Sequence, residues 1–147
     1  MSLNQWAANG WLRPHKTSLK EIVDLLAIVD RDVEDAQGDI SSDWRFGIAY
    51  NAALKLCAIL VYASGFRPEK TLQHYRTIQA LPEILGPGRK ADADYLDACR
   101  IKRNTVEYDY AGGATKADAQ ELIEFSRELR HAVIAWLRAN HPALSPK

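Results

Sequence analysis

Cysteine, methionine and glycine are scarce in this chain, and neither sign of charge dominates it. Two cysteines, one methionine and eight glycines occur among 147 residues, with 19 Lys+Arg against 19 Asp+Glu. Two cysteines cannot frame a disulfide-stapled domain, and Cys57 and Cys99 both fall inside apolar helical patterns, which suits buried thiols in a reducing compartment. Zero net charge excludes a protein that coats nucleic acid or anionic membrane by bulk electrostatics, while leaving room for a local basic patch. No long apolar run is present. The longest, from Leu56 to Ala63, is far short of the roughly 20 residues that cross a bilayer. Residues 1–14 hold Trp6, Trp11 and Leu12 but no continuous apolar stretch before a small-residue cleavage site. A cytoplasmic protein without a membrane partner is therefore expected. Strand-like alternation, internal repeats and low-complexity tracts are missing as well.

What remains is helix, in a chain long enough to bury roughly two-thirds of its unfolded surface in one domain. Ser18-Leu19-Lys20-Glu21 fits a capping box, and Leu19, Ile22, Val23, Leu26, Val29 and Val33 follow at helical spacing toward Gly38. Ser41 or Ser42 can cap a second helix running to Ser64. Its apolar residues cover nearly every face, as in a helix surrounded by others. Pro68 fits the first turn of a shorter helix that Pro82 interrupts, and Gly86-Pro87-Gly88 marks a loop. A fourth long segment covers 92–110, and Thr115 can cap the last, which ends near Asn140. The expected fold is all-α: an antiparallel, up-and-down four-helix bundle with an additional short helix. Residues 1–17 would pack on a bundle spanning 18–141, with 142–147 as a flexible tail.

The fourth helix carries an anomaly. With Arg103 set at zero on a wheel of about 100° per residue, Cys99, Val106, Tyr110 and Leu96 fall within about 60° of it. Arg100 and Glu107 stand on the edge of the same face. Two arginines and a glutamate thus border a stripe that should be buried, and buried charge is costly unless paired. Glu107 can neutralise Arg103 at i,i+4 while Arg100 snorkels to water. Alternatively, the arginines open onto a groove or a subunit interface and meet phosphate, which guanidinium recognises through a planar fork that stays charged.

The run Arg103-Asn104-Thr105-Val106-Glu107-Tyr108-Asp109-Tyr110, late in a helical bundle, resembles the signature of the HEPN superfamily (higher eukaryotes and prokaryotes nucleotide-binding). That signature is an Arg, often followed by a polar residue, with a His a few residues on. Tyr50 to Pro68 is similar to the family's second helix and glycine exit, and Thr71 to Tyr75 to the segment after it; short stand-alone bacterial members are the nearest in form. The resemblance implies a homodimer with the motifs of two subunits facing across one cleft. It also implies metal-independent endoribonuclease chemistry of the toxin or defence type. Arg103 would hold the scissile phosphate and Asn104 would match the polar position. Tyr108 stands where the family has His. A phenol with an unperturbed pKa near 10 is a poor base, though it can donate a proton or orient a phosphate. A non-catalytic binder, or a degenerate nuclease, thus stays open. In some family toxins paired with a minimal nucleotidyltransferase antitoxin, a Tyr two residues beyond the His is the modified target, and Tyr110 matches that position.

Other candidates are weaker. Asn51 and Lys55 lie one turn apart on the most apolar helix, in line with Trp44 and Tyr62, and either snorkel or line the Arg103 cleft. Lys102, with Arg100, Arg89 and Lys90, could extend a positive rim or belong to a solvated face. Glu128-x-x-His131 lacks the second copy and further glutamates of a di-iron bundle, and His15, His74 and His141 form no ligand spacing, so no metal or other cofactor is expected. The rival to a phosphate-binding cleft is an interaction module in which Arg103 and Glu107 form an interfacial ion pair.

Overall fold

A computed structural model of the chain describes residues 2–108 and 111–146; the side chains of Glu107 and Tyr108 lie outside that description. The fold is all-α. Four long helices, α2 (Leu19–Asp35), α3 (Ser42–Ala63), α5 (Lys90–Tyr108) and α6 (Lys116–Asn140), form the bundle. They are joined by two shorter ones, α1 (Leu3–Ala8) and α4 (Gln73–Leu85), and by short 3-10 turns at Pro87–Arg89 and Pro142–Leu144. Helix α3 touches α2, α4, α5 and α6. Its alanines 49, 52 and 53 and the larger Leu56, Ile59 and Leu60 are sealed from solvent. This is also the one helix among the described residues long and apolar enough to cross a membrane, and most of it is covered by the other helices. Small residues let α6 come close: Ser126, fully buried on α6, donates its hydroxyl to the carbonyl of Ala49 at 3.2 Å or that of Leu122 at 2.9 Å.

The helix starts follow local chemistry. The hydroxyls of Ser18, Ser41 and Thr115 accept from the amides of Glu21, Trp44 and Asp118, satisfying donors that have no partner inside the helix. At Thr115 the box is reciprocal, because the Asp118 carboxylate accepts from the Thr115 amide at 2.9 Å. At Ser18 it is not. Glu21 turns instead to Thr17 and His15, both at 2.7 Å, so that half of the expected capping box is replaced by a small polar cluster.

Three features depart from the expected elements. Pro68 does not open a helix: Phe66–Pro68 forms a short strand, β2, paired antiparallel with β1 (Leu12–Pro14). Gly65, at φ +93°, turns the chain out of α3 toward that partner, a conformation that glycine adopts without strain. Around this ribbon Trp6, Leu12, Val61 and Ala80 make a second apolar cluster, and the Arg76 guanidinium lies 3.9 Å from the Trp11 ring centre. Helix α4 starts only at Gln73, after Leu72 in the left-handed region at φ +54°. It then runs through Pro82 to Leu85, because buried Leu81 and the packing of Ile84 and Leu85 hold its last turn against the core. The residues before α2 also contain more structure than expected, with α1 closed by a Ser2–Gln5 capping box.

Candidate functional site

Helices α3 and α5 run antiparallel, and between them lies a cleft of about 460 Å³. From α3 it is lined by Trp44, Gly47, Ile48 and Asn51, and from α5 by Arg103 and Val106. Trp44 is 61% exposed at its mouth, an unusual position for an indole with an apolar body. The floor is polar. Asp32 of α2, only 5% exposed, accepts from the Asn51 amide at 2.7 Å and from the Arg31 guanidinium at 3.0 and 3.1 Å. A buried carboxylate needs such partners, and here they fix the Asn51 side chain in the cleft wall. The far end is tied down by Asp43 at the first turn of α3. Its two oxygens accept from the backbone amides of Gly112 and Ala114, at 2.6 and 2.9 Å, and these bonds hold its carboxyl below the usual value.

The faces that line the cleft continue one turn further along each helix, and their chemistry changes there. On α3 the next residue is Lys55; on α5 it is Arg100, whose Nε donates to Asp97 at 2.8 Å. His74, near the start of α4, joins them. Its ring centre is 6.4 Å from that of Tyr50. The Arg103 guanidinium lies 5.8 Å from the Tyr50 ring centre, and that of Arg100 lies 5.8 Å from the ring of Tyr75. Partial burial, followed by the charges of Arg103, Lys55 and Arg100, holds His74 below its ordinary pKa, so its imidazole is neutral at pH 7. Tyr50 is 1% exposed and its hydroxyl has no hydrogen-bond partner among the described residues. Burial pushes that phenol upward, opposed in part by Arg100 and Arg103. Arg100 and Arg103 therefore act on the buried Tyr50 phenol, and together with Lys55 they act on His74. Lys55 makes no ion pair among the described residues, and Asp97 accepts from Arg100.

Neither a protein-family model, a curated protein nor a solved structure matches this chain. The geometry alone sorts the expected site residues. Arg103 and Asn51 share the cleft, and Lys55 and Arg100 stand beside them at its cationic end. Asn104 is exposed, its Oδ1 3.4 Å from Arg103 Nη1. Lys102 is on another face: it pairs with Asp118 of α6 at 2.6 Å and lines a smaller cavity with Phe46, Tyr95 and Cys99, away from the arginines. One residue along a helix is a turn of about 100°, which separates Lys102 from Arg103. The Tyr108 side chain and Tyr110 lie outside the described residues. Arg89 binds Asp92 and Glu128 rather than extending a positive rim, and no metal-holding group of side chains occurs among the described residues. Both cysteines are free and buried, with burial pushing Cys57 up to about 12 and Cys99 up to about 11, so neither is a nucleophile at neutral pH.

The sequence reading missed His74, Tyr50 and the buried Asp32. Nothing local to His74 marks it, since its charged neighbours come from α3 and α5. The shared helical line of Trp44, Asn51 and Lys55 was visible, but Tyr62 on that line leaves the groove and packs at a tilt against His15, with ring centres 4.8 Å apart.

Proposed function

We propose that the chain is a HEPN-like, cytoplasmic protein that binds RNA or a nucleotide phosphate in the groove between α3 and α5. The observation that carries this reading is the convergence of Lys55, Arg100 and Arg103 beside an apolar-walled cleft. Guanidinium and ammonium groups in a partly dehydrated groove hold phosphate oxygens, and an exposed indole a few residues away offers a stacking surface for a base. In this reading Arg103 and Arg100 hold the phosphate, Lys55 adds a third charge, and Asn51 supplies hydrogen bonds at the cleft wall. Tyr108 would act as an acid or orienting donor if the protein is a degenerate, metal-independent ribonuclease of the toxin or defence type. A tyrosine cannot easily both accept and return a proton near neutrality, so binding is expected to outlast cleavage.

A second reading draws on exposed apolar side chains, notably Trp44, Ile101 and Ile40. They suit a homodimeric interaction module, or the toxin partner of a minimal nucleotidyltransferase. The experiment that separates these readings is binding and cleavage of a mixed single-stranded RNA pool at low salt by wild type, Arg103→Ala and Tyr108→His. The proposal expects binding that weakens at least tenfold in Arg103→Ala, with cleavage appearing or rising in Tyr108→His. Absence of RNA binding by all three proteins would leave the interaction module standing.

A further inference from the structure

We propose that the cleft wall formed by α2 and α3 is a base-reading seat, in which Asp32 and Asn51 accept from two neighbouring donors on the edge of a flat ring lying against Gly47 and Trp44. Among the standard nucleobases that edge belongs to guanine. The inference rests on the groove being a nucleotide site and names the base it takes.

Three observations carry it. The first is a pair of acceptors with room to spare. Asp32 Oδ1 already accepts twice, from Arg31 Nε and Nη2 at 3.1 and 3.0 Å, whereas Oδ2 accepts once, from Asn51 Nδ2 at 2.7 Å. A carboxylate oxygen has two lone pairs, so Oδ2 keeps one open. Because a carboxylate only accepts, it fixes the Asn51 amide with its nitrogen toward Asp32. The Asn51 carbonyl oxygen is left over and accepts from no group among the described residues. Both side chains line the cleft. Asp43, the other carboxylate of the lining, is occupied on each oxygen by a backbone amide.

The second observation is Gly47. It lies inside α3, where only proline is less favourable than glycine, yet a Cβ at this position would meet no atom within 4 Å. Packing within the chain therefore does not call for glycine here. Gly47 does line the cleft, one turn before Asn51, and a side chain on it would take the space against which a flat ring can lie. The third is the indole of Trp44, 61% exposed at the mouth and one turn before Gly47. With Ile48 and Val106 it gives the cleft apolar faces, and a volume of about 460 Å³ suits a small planar ligand.

The hydrogen-bonding edges of the bases make the choice. Guanine sets its ring N1–H beside its 2-amino group, two donors for two acceptors. Adenine and cytosine set their amino group beside a ring nitrogen that accepts, and uracil sets its one N–H between two carbonyls. Each of these would bring an acceptor against Asp32 or Asn51 and leave a buried acceptor unpaired, which is how a site built for a donor rejects a ligand that lacks it.

The test compares guanosine, inosine and uridine 5′-monophosphates by titration calorimetry, with the Trp44 indole N–H resonance followed by NMR. All three carry the same phosphate, so the cationic end treats them alike. Inosine keeps the purine ring and its N1–H but lacks the 2-amino group, which separates hydrogen bonding from stacking. The wild type is expected to bind the guanosine nucleotide about tenfold more tightly than the uridine one and about fivefold more tightly than the inosine one, with the Trp44 resonance shifting on binding. Gly47→Leu, a favourable change for a helix, should keep its fold by circular dichroism and lose most of the preference, and Asn51→Ala should lose it as well. Equal affinity for the guanosine and inosine nucleotides would overturn the base-reading seat and leave the phosphate-binding groove intact. A preference undiminished in both folded variants would place the base elsewhere and overturn it too. Failure to bind any of the three would remove the broader reading with it.

Discussion

The residue most out of place in this core is Tyr50. Its ring is sealed among apolar neighbours, yet its hydroxyl is buried with no acceptor among the described residues. A hydroxyl left in that state costs roughly 1–3 kcal/mol, because the water bonds it gave up are not replaced. Replacing it by phenylalanine removes the unpaired group and leaves the ring in place. Tyr50→Phe is therefore expected to stabilise the protein by about 1 kcal/mol, seen as a higher urea midpoint at an unchanged slope. A loss of stability would mean that Tyr50 has a structural acceptor and that the argument from its isolation fails.

Asp43 shows how single side chains position whole elements. It sits in the first turn of α3 and grips the segment between α5 and α6 through the amides of Gly112 and Ala114. Asp43→Ala should let those two amides exchange with solvent at least tenfold faster, as read by hydrogen exchange, while the helix cores keep their protection. The pH dependence has a fixed sign. The folded-state pKa of Asp43 is depressed, so the anchor is fully present above the unfolded value near 3.8 and fails as pH falls through the lower folded value. In that acid range wild type should exchange like Asp43→Ala. The elements themselves divide by how local their signals are. Helices α2, α3 and α6 were legible because Ser18, Ser41 and Thr115 cap them within three residues and their apolar spacing is sustained. The β1–β2 ribbon was not legible, because its partners are separated by more than fifty residues and Pro68 suits a strand end as well as a first helical turn. The groove divides in the same way. Arg103 and Asn51 drew attention as polar residues on apolar helices, whereas His74 acquires its surroundings only when α4 packs beside α3 and α5. Lys102 was grouped with the arginines by adjacency in sequence, and the helical turn carries it to Asp118 instead.

At the scale of the whole molecule, the charge balance and the groove make opposite demands on a nucleic-acid partner, and the salt dependence of binding decides between them. The chain as a whole is neutral, so it has no broad positive field with which to gather phosphates. On the proposed reading, the attraction comes from Lys55, Arg100 and Arg103, which all act on His74 at the end of the groove. For single strands, log affinity falls with log salt at roughly −0.7 per phosphate neutralised, so one phosphate held by this group corresponds to a slope of about −0.7. Raising monovalent salt from 50 to 200 mM should then weaken single-stranded RNA binding by only about 2.5-fold. Arg103→Ala should bring the slope toward zero, while Lys102→Ala, on the α6 side, should leave it unchanged. Fluorescence anisotropy of a labelled oligonucleotide across that range measures both. A wild-type slope steeper than about −4 would require contacts spread far beyond the groove, and Lys102 would then be among the first to reconsider. A flat profile would mean that the cationic end does not touch phosphate, and the weight would pass to Trp44 and the apolar surface around it.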